Sequence, residues 1–67
     1  MADTLTDLAD FELPYGRKAL LRRVDFEGGM SMVRLVLREG TRITQVDLDA
    51  AGASDLGEAL MSAARGL

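Results

Sequence analysis

The stretch from Lys18 to Asp49, KALLRRVDFEGGMSMVRLVLREGTRITQVDLD, decides the fold of this chain. Its β-branched and apolar residues alternate with polar ones, and this period of two predicts three antiparallel strands. Gly28-Gly29 predicts a two-residue hairpin loop between the first two strands, because glycine adopts positive φ freely. Glu39-Gly40 predicts the second turn, so that the three strands form a meander.

The predicted pairing places Val24 opposite Val33 and Leu21 opposite Val36, and it divides the sheet into two faces. One face is apolar apart from Arg22, and it contains Leu20, Val24, Phe26, Val33, Leu35, Leu37, Val46 and Leu48. The other face mixes apolar and charged side chains, namely Leu21, Met30, Met32, Val36 and Ile43 with Arg23, Asp25, Arg34, Arg38, Gln45 and Asp47.

A period of three to four residues after Leu48 predicts an amphipathic C-terminal helix with one apolar stripe. The stripe consists of Leu56, Ala59, Leu60, Ala63 and Leu67. Either Asp49 caps a helix that starts at Ala50, or Ser54 caps a shorter helix that starts near Asp55. We expect the stripe to pack on the apolar face of the sheet.

These elements predict one α+β domain: a three- or four-stranded antiparallel meander with a C-terminal amphipathic helix packed on one face. Residues 1–10 are acidic and are expected to form a flexible tail, and residues 11–67 to form the domain. Phe11-Glu12-Leu13 alternates in polarity and allows a fourth, short edge strand that ends at Pro14.

The chain has 67 residues, no cysteine and no histidine. A core this small is marginal without a disulfide, a metal or a partner, and the composition leaves oligomerisation as the available aid. The acidic start lacks the pattern of a signal peptide, and no apolar run is long enough to span a membrane. We therefore expect a cytoplasmic protein with no membrane association.

The net charge of −3 is unevenly distributed. Residues 17–42 contain seven cations and three carboxylates, a net charge of +4, whereas the other residues contain one cation and eight carboxylates, a net charge of −7. This separation favours either an anion-binding surface or complementary charges across a dimer.

Catalytic motifs are lacking, and we expect neither an enzyme nor a cofactor. Without histidine or cysteine, no nucleophile and base can be assembled from the three serines. Asp47 and Asp49 form a D-x-D pattern that some Mg²⁺ sites use, but a charged strand end followed by a helix cap explains it more simply.

The mixed face of the sheet is the candidate interface. Apolar area left uncovered on a small protein marks an interaction surface, so we predict a non-catalytic interaction module that forms a homodimer or binds a protein partner. The interface residues are Leu21, Met30, Met32, Val36 and Ile43, with Arg23 and Arg34. Two alternatives are that the N-terminal segment covers this face, or that Arg23, Arg34, Arg38 and Arg42 bind single-stranded nucleic acid or another anion.

Three motifs carry a family resemblance: Leu13-Pro14-Tyr15-Gly16-Arg17, residues 33–42 (VRLVLREGTR), and Asp47-Leu48-Asp49 before the Ala/Leu-rich helix. Over residues 13–65 the chain resembles a family of small uncharacterised bacterial proteins, and its layout is loosely similar to coactivator-type single-strand-binding domains. The family resemblance implies a compact β-meander-plus-helix domain and no particular activity.

Overall fold

The structure, a computed structural model, describes residues 2–67. Four strands form one open antiparallel sheet in the order β1-β2-β3-β4. The strands are β1 (Thr4–Leu13), β2 (Arg17–Asp25), β3 (Ser31–Glu39) and β4 (Arg42–Leu48), and a 3-10 turn at Pro14–Gly16 joins β1 to β2. One helix, α1 (Ala50–Arg65), follows β4 and packs on one face, which confirms the predicted α+β meander with a C-terminal helix.

The first strand is longer than the sequence suggests. Residues 4–10, expected as a flexible tail, belong to a ten-residue strand that pairs with β2 along its length. A β-bulge between Asp7 and Ala9 places Leu8 outside the regular pairing. The N-terminal segment therefore extends the edge of the sheet and does not cover one of its faces.

The hairpin between β2 and β3 has a different register from the predicted one. The Phe26 amide donates to the Met30 carbonyl at 2.8 Å, so the loop contains three residues, Glu27, Gly28 and Gly29. Both glycines have positive φ, 104° and 96°. The prediction of a two-residue loop is wrong by one residue, and an odd difference in register turns every side chain of β2 to the opposite face relative to β3.

The hairpin between β3 and β4 does have a two-residue loop, Gly40-Thr41, one residue further along than predicted. Gly40 has a φ of 60°, as a two-residue hairpin loop requires at its first position. The pairing moves by two residues, for example to Leu35 opposite Val46, and an even shift leaves the predicted faces of β3 and β4 unchanged.

The corrected register defines two surfaces, named here the helix face and the open face. The helix face carries Phe11, Ala19, Leu21, Arg23, Val33, Leu35, Leu37, Val46 and Leu48. The open face carries Leu5, Asp7, Lys18, Leu20, Arg22, Val24, Met32, Arg34, Val36, Arg38, Ile43 and Asp47. Arg22, which disturbed the predicted apolar face, thus lies on the open face, and Leu21 replaces it beside α1.

The helix begins at Ala50, the earlier of the two predicted starts. The Asp49 side chain accepts a hydrogen bond of 2.7 Å from the amide of Gly52, the N-cap geometry that satisfies an otherwise free helix donor. No residue of α1 is buried. The buried apolar residues among those described are Ala19, Val24 and Val36, so the core of the isolated chain is small.

Candidate interaction surfaces

The groove between α1 and the helix face is lined by apolar residues and glycine. Its walls are Leu21, Val33, Leu35 and Leu48 from the sheet and Ala53, Leu56, Gly57 and Leu60 from the helix, and it encloses about 150 Å³. Leu60 faces this groove and is nevertheless 62% exposed. The sheet side chains beside the groove, Phe11, Leu37 and Val46, are exposed as well. The helix therefore covers only part of the face on which it packs.

The open face is dominated by a row of four charged residues, one from each strand. Asp7, Arg22, Arg34 and Asp47 lie opposite one another across β1, β2, β3 and β4. Each arginine pairs with the carboxylate on its outer side: Arg22 Nε lies 2.9 Å from Asp7 Oδ1, and Arg34 Nε lies 2.7 Å from Asp47 Oδ1. The row therefore neutralises itself within one chain.

The two ion pairs of this row differ in geometry. Arg34 binds Asp47 with two parallel bonds, the second from an Nη atom to Oδ2 at 3.1 Å. These bonds lower the pKa of Asp47 below its ordinary value of 3.8 and raise the pKa of Arg34. Arg22 Nε is buried and lacks an aligned acceptor among the described residues, so its attraction to Asp7 is mainly that of charge.

A second polar cluster lies beside the β2–β3 loop, at the end of the sheet opposite to the other two connections. Asp25 Oδ1 accepts hydrogen bonds from the Ser31 hydroxyl and from Arg23 Nε, the latter at 2.9 Å. Both hydrogen bonds lower the pKa of Asp25, and the bond from Ser31 has the larger effect. The cluster ties the ends of β2 and β3 together beside their loop.

The structure divides the predicted dimer interface between different surfaces. Leu21 and Arg23 lie on the helix face, where Leu21 lines the groove. Met30 directly follows the β2–β3 loop, where its carbonyl accepts from the Phe26 amide. The remaining four, Met32, Arg34, Val36 and Ile43, lie on the open face, and Val36 is only 7% exposed. The seven residues do not form one patch, because the three-residue loop reverses the faces of β2.

The arginines of the alternative nucleic-acid surface are separated too. Arg23 is bound to Asp25, and Arg34 is bound to Asp47. Arg38 and Arg42 both lie at the β3–β4 hairpin, at the far end of the sheet from Arg23, but on opposite faces. The four residues therefore do not form a continuous track.

The aspartates of the D-x-D pattern are both engaged within the chain, Asp47 by Arg34 and Asp49 by the helix amide of Gly52. Among residues 2–67, no group of three or more acidic, histidine or cysteine side chains is arranged to hold a metal ion. Within the same residues, no helix combines the length and the apolar character needed to cross a membrane.

Three features of the site were missed by sequence reasoning. The partner of Arg22 is Asp7, which was assigned to the tail, and the role of Leu60 in an open groove depends on how far α1 covers the sheet. The third is Tyr15, which is 90% exposed and has a φ of 67°, a left-handed conformation unusual for a bulky residue. Its position in the sequence Pro-Tyr-Gly indicates a turn, but not this conformation.

These surfaces define a small α+β meander domain with an incompletely covered apolar face. The chain belongs to a family of unknown function, DUF6967, and the family model matches residues 2–66. The predicted resemblance to an uncharacterised family is thereby confirmed. No curated protein and no solved structure matches the chain.

Proposed function

We propose that this protein is a non-catalytic interaction module that associates with a second copy of itself through the helix face. The observation that carries this proposal is the amount of exposed surface. The chain exposes 5368 Å², whereas a compact monomer of 7.2 kDa is expected to expose about 4,100 Å². The excess, about 1,300 Å², is comparable to the area that one partner buries in a stable protein interface, about 800 Å² or more.

The helix face suits a partner better than the open face does. Its exposed side chains around the groove are apolar, and their burial contributes favourably to association. The open face would have to bury the row of Asp7, Arg22, Arg34 and Asp47, and removing such charges from water is costly. In a two-fold stack with aligned strands the central arginines would also oppose the arginines of the second copy, which disfavours that arrangement.

A second copy is the simplest occupant of the groove. An isologous interface needs only one self-complementary patch, and Phe11, Leu37, Val46, Leu56 and Leu60 provide apolar groups on both the sheet and the helix. Each helix would close the groove of the other subunit and enlarge the small core of the isolated chain.

Support for a non-catalytic role comes from the state of the polar groups. The carboxylates and arginines near the hairpin ends hold each other, and the Ser31 hydroxyl donates to Asp25. The acceptor, Asp25, also binds Arg23, and these two hydrogen bonds lower its pKa, which makes it a weak general base for activating the hydroxyl. For location we propose the cytoplasm, a reducing compartment suited to a chain without cysteine.

A matched pair of variants on one edge strand tests the proposal. Val46 and Ile43 are β-branched, 47% and 50% exposed, and lie on the helix face and the open face of β4. We expect light scattering after gel filtration to give a mass of twice 7.2 kDa for the wild type and for Ile43→Lys, and the monomer mass for Val46→Lys. A wild-type chain that stays monomeric at high concentration, or a dimer that only Ile43→Lys disrupts, contradicts the proposal.

A further inference from the structure

The end of the sheet that carries the β1–β2 and β3–β4 connections is rich in cations. In an antiparallel meander these two connections lie at the same end, and here a bond of 2.8 Å from Arg17 Nε to Glu39 Oε2 joins them directly. Four cations lie at this end, Lys18 and Arg38 on the open face and Arg17 and Arg42 on the helix face, with two carboxylates, Glu12 and Glu39. The local net charge is therefore +2 in a chain whose total charge is −3.

Three of these cations have no ion-pair partner. Lys18, Arg38 and Arg42 lie within 4 Å of no carboxylate oxygen among the residues that the structure describes. Lys18 and Arg38 are also direct cross-strand partners, and like charges in this arrangement destabilise a sheet. Arg22 and Arg34 are cross-strand partners as well, but each of them is paired with a carboxylate, whereas the repulsion between Lys18 and Arg38 has no such compensation.

The connection beside these cations holds an aromatic side chain outward. Tyr15 projects into solvent at the tip of the β1–β2 connection, and the guanidinium of Arg17 lies 5.6 Å from the centre of its ring. Its left-handed backbone conformation costs on the order of 1 kcal/mol or more in a residue with a side chain. A shallow depression of about 210 Å³ lies next to it, lined by Glu12, Leu13, Gly16, Arg17 and Lys18.

We propose that this end of the sheet, named here the basic tip, binds an acidic segment of a partner protein. Lys18, Arg38 and Arg42 supply the charge that attracts carboxylates, and Tyr15 supplies an amphipathic contact. Tyrosine and arginine are the residue types that contribute most to binding at protein interfaces. Binding of carboxylates between Lys18 and Arg38 relieves the repulsion that the free protein retains across β2 and β3.

The extent of the basic tip favours an acidic peptide over a nucleic acid. On the open face the positive surface is only the row of Lys18 and Arg38, because the next row begins with Asp10 and the one after it contains Asp7 and Asp47. A phosphate backbone that continued past the tip would meet these carboxylates. Tyr15 is also the single aromatic at this end, whereas single-strand binders stack several bases on several rings.

The test uses the full chain labelled with ¹⁵N and three probes at low salt: a hexaglutamate peptide, a hexalysine peptide and a single-stranded oligothymidylate of eight nucleotides. We expect hexaglutamate to shift the backbone amides of residues 15–18 and 38–42, and added salt to weaken this binding by screening. We expect hexalysine to leave these amides unchanged.

The variant Arg38→Glu tests binding without weakening the fold. It places a carboxylate opposite Lys18 and removes the like-charge pair, so the fold should be at least as stable as that of the wild type. The same change should weaken hexaglutamate binding by about tenfold. Arg65→Glu makes the same change of charge at the end of α1 and should leave the binding unchanged.

Three results overturn the proposal: no shift at the tip with hexaglutamate, an equal loss of affinity in Arg38→Glu and Arg65→Glu, or tighter binding of the oligothymidylate at the same residues. The last result would make the tip a phosphate site. The basic tip lies outside the groove, so both variants should keep the wild-type mass in solution. The peptide-binding test can therefore fail while self-association is confirmed, and the reverse.

Discussion

Truncation of Leu60 to alanine is the sharpest test of the groove as an interface. Leu60 faces the groove and keeps 62% of its surface exposed in the single chain. Full burial of a leucine side chain contributes about 1.5–3 kcal/mol, so burial of the remaining surface contributes about 1–2 kcal/mol per subunit. A two-fold interface contains the residue twice, and alanine keeps the β-carbon, so the expected loss is about 2–3 kcal/mol per dimer.

This loss corresponds to a dimer dissociation constant about 30- to 150-fold higher, since each 1.4 kcal/mol is a factor of ten. The fold of the single chain should change little, because Leu60 is mostly exposed there and alanine favours the helix. Sedimentation equilibrium over a range of concentrations measures the dissociation constant, and far-ultraviolet circular dichroism checks that α1 is intact.

The control is Ile43→Ala, which removes a similarly exposed apolar side chain from the open face. We expect its dissociation constant to stay within about threefold of the wild-type value, as usual for a substitution outside an interface. If Leu60→Ala dimerises as well as the wild type while Ile43→Ala is weakened, the reasoning from the groove is refuted. A charge introduced at Val36 would be a poor probe, because that residue is buried and the variant would unfold.

Three further predictions concern the single chain. Tyr15→Gly should raise the free energy of unfolding by about 0.5–1 kcal/mol, because glycine adopts the positive φ without strain, and a lower value in urea denaturation would contradict this. Gly57→Ala should stabilise α1 by about 0.5–1 kcal/mol, because a β-carbon there meets no other atom. Gly52→Ala should give no such gain, because the added β-carbon would lie 2.8 Å from the capping carboxylate oxygen of Asp49. Thermal unfolding of both variants distinguishes the two sites. The pKa of Asp47 is lowered in the folded state by Arg34, so its contribution to stability is present above the unfolded value of 3.8 and is lost as the pH falls through the lower folded value. Asp47→Asn should therefore show a smaller loss of stability below about pH 4 in acid titrations followed by circular dichroism, and an unchanged acid dependence would show that the pair contributes nothing.

Strand and helix types could be predicted because they depend on local patterns. Period-two alternation in residues 18–49 and the helical spacing from Leu56 to Leu67 identify the central strands and α1. The sequence leaves the helix start open between the Asp49 and Ser54 caps, and the structure has the Asp49 cap. The faces of β3 and β4 followed correctly, since an even shift of register preserves them.

The candidate interface could not be predicted in the same way, because it depends on whether one loop has two residues or three. Gly28-Gly29 is compatible with a two-residue and with a three-residue loop, and the neighbouring residues do not distinguish between the two loops. The choice is made by contacts across the whole sheet: the three-residue loop moves Arg22 to Asp7 and brings Leu21 under α1.

The sequence by itself thus determined the types of the central strands and of the helix and the meander order of β2 to β4, since each depends on residues close together in the chain. Only the tertiary structure decided which residues of β2 share a face with those of β3, that residues 4–10 complete the sheet, and that α1 leaves a groove open beside Leu60. The physical reason is that a face is a property of strand pairing, and pairing is set by contacts between residues distant in sequence.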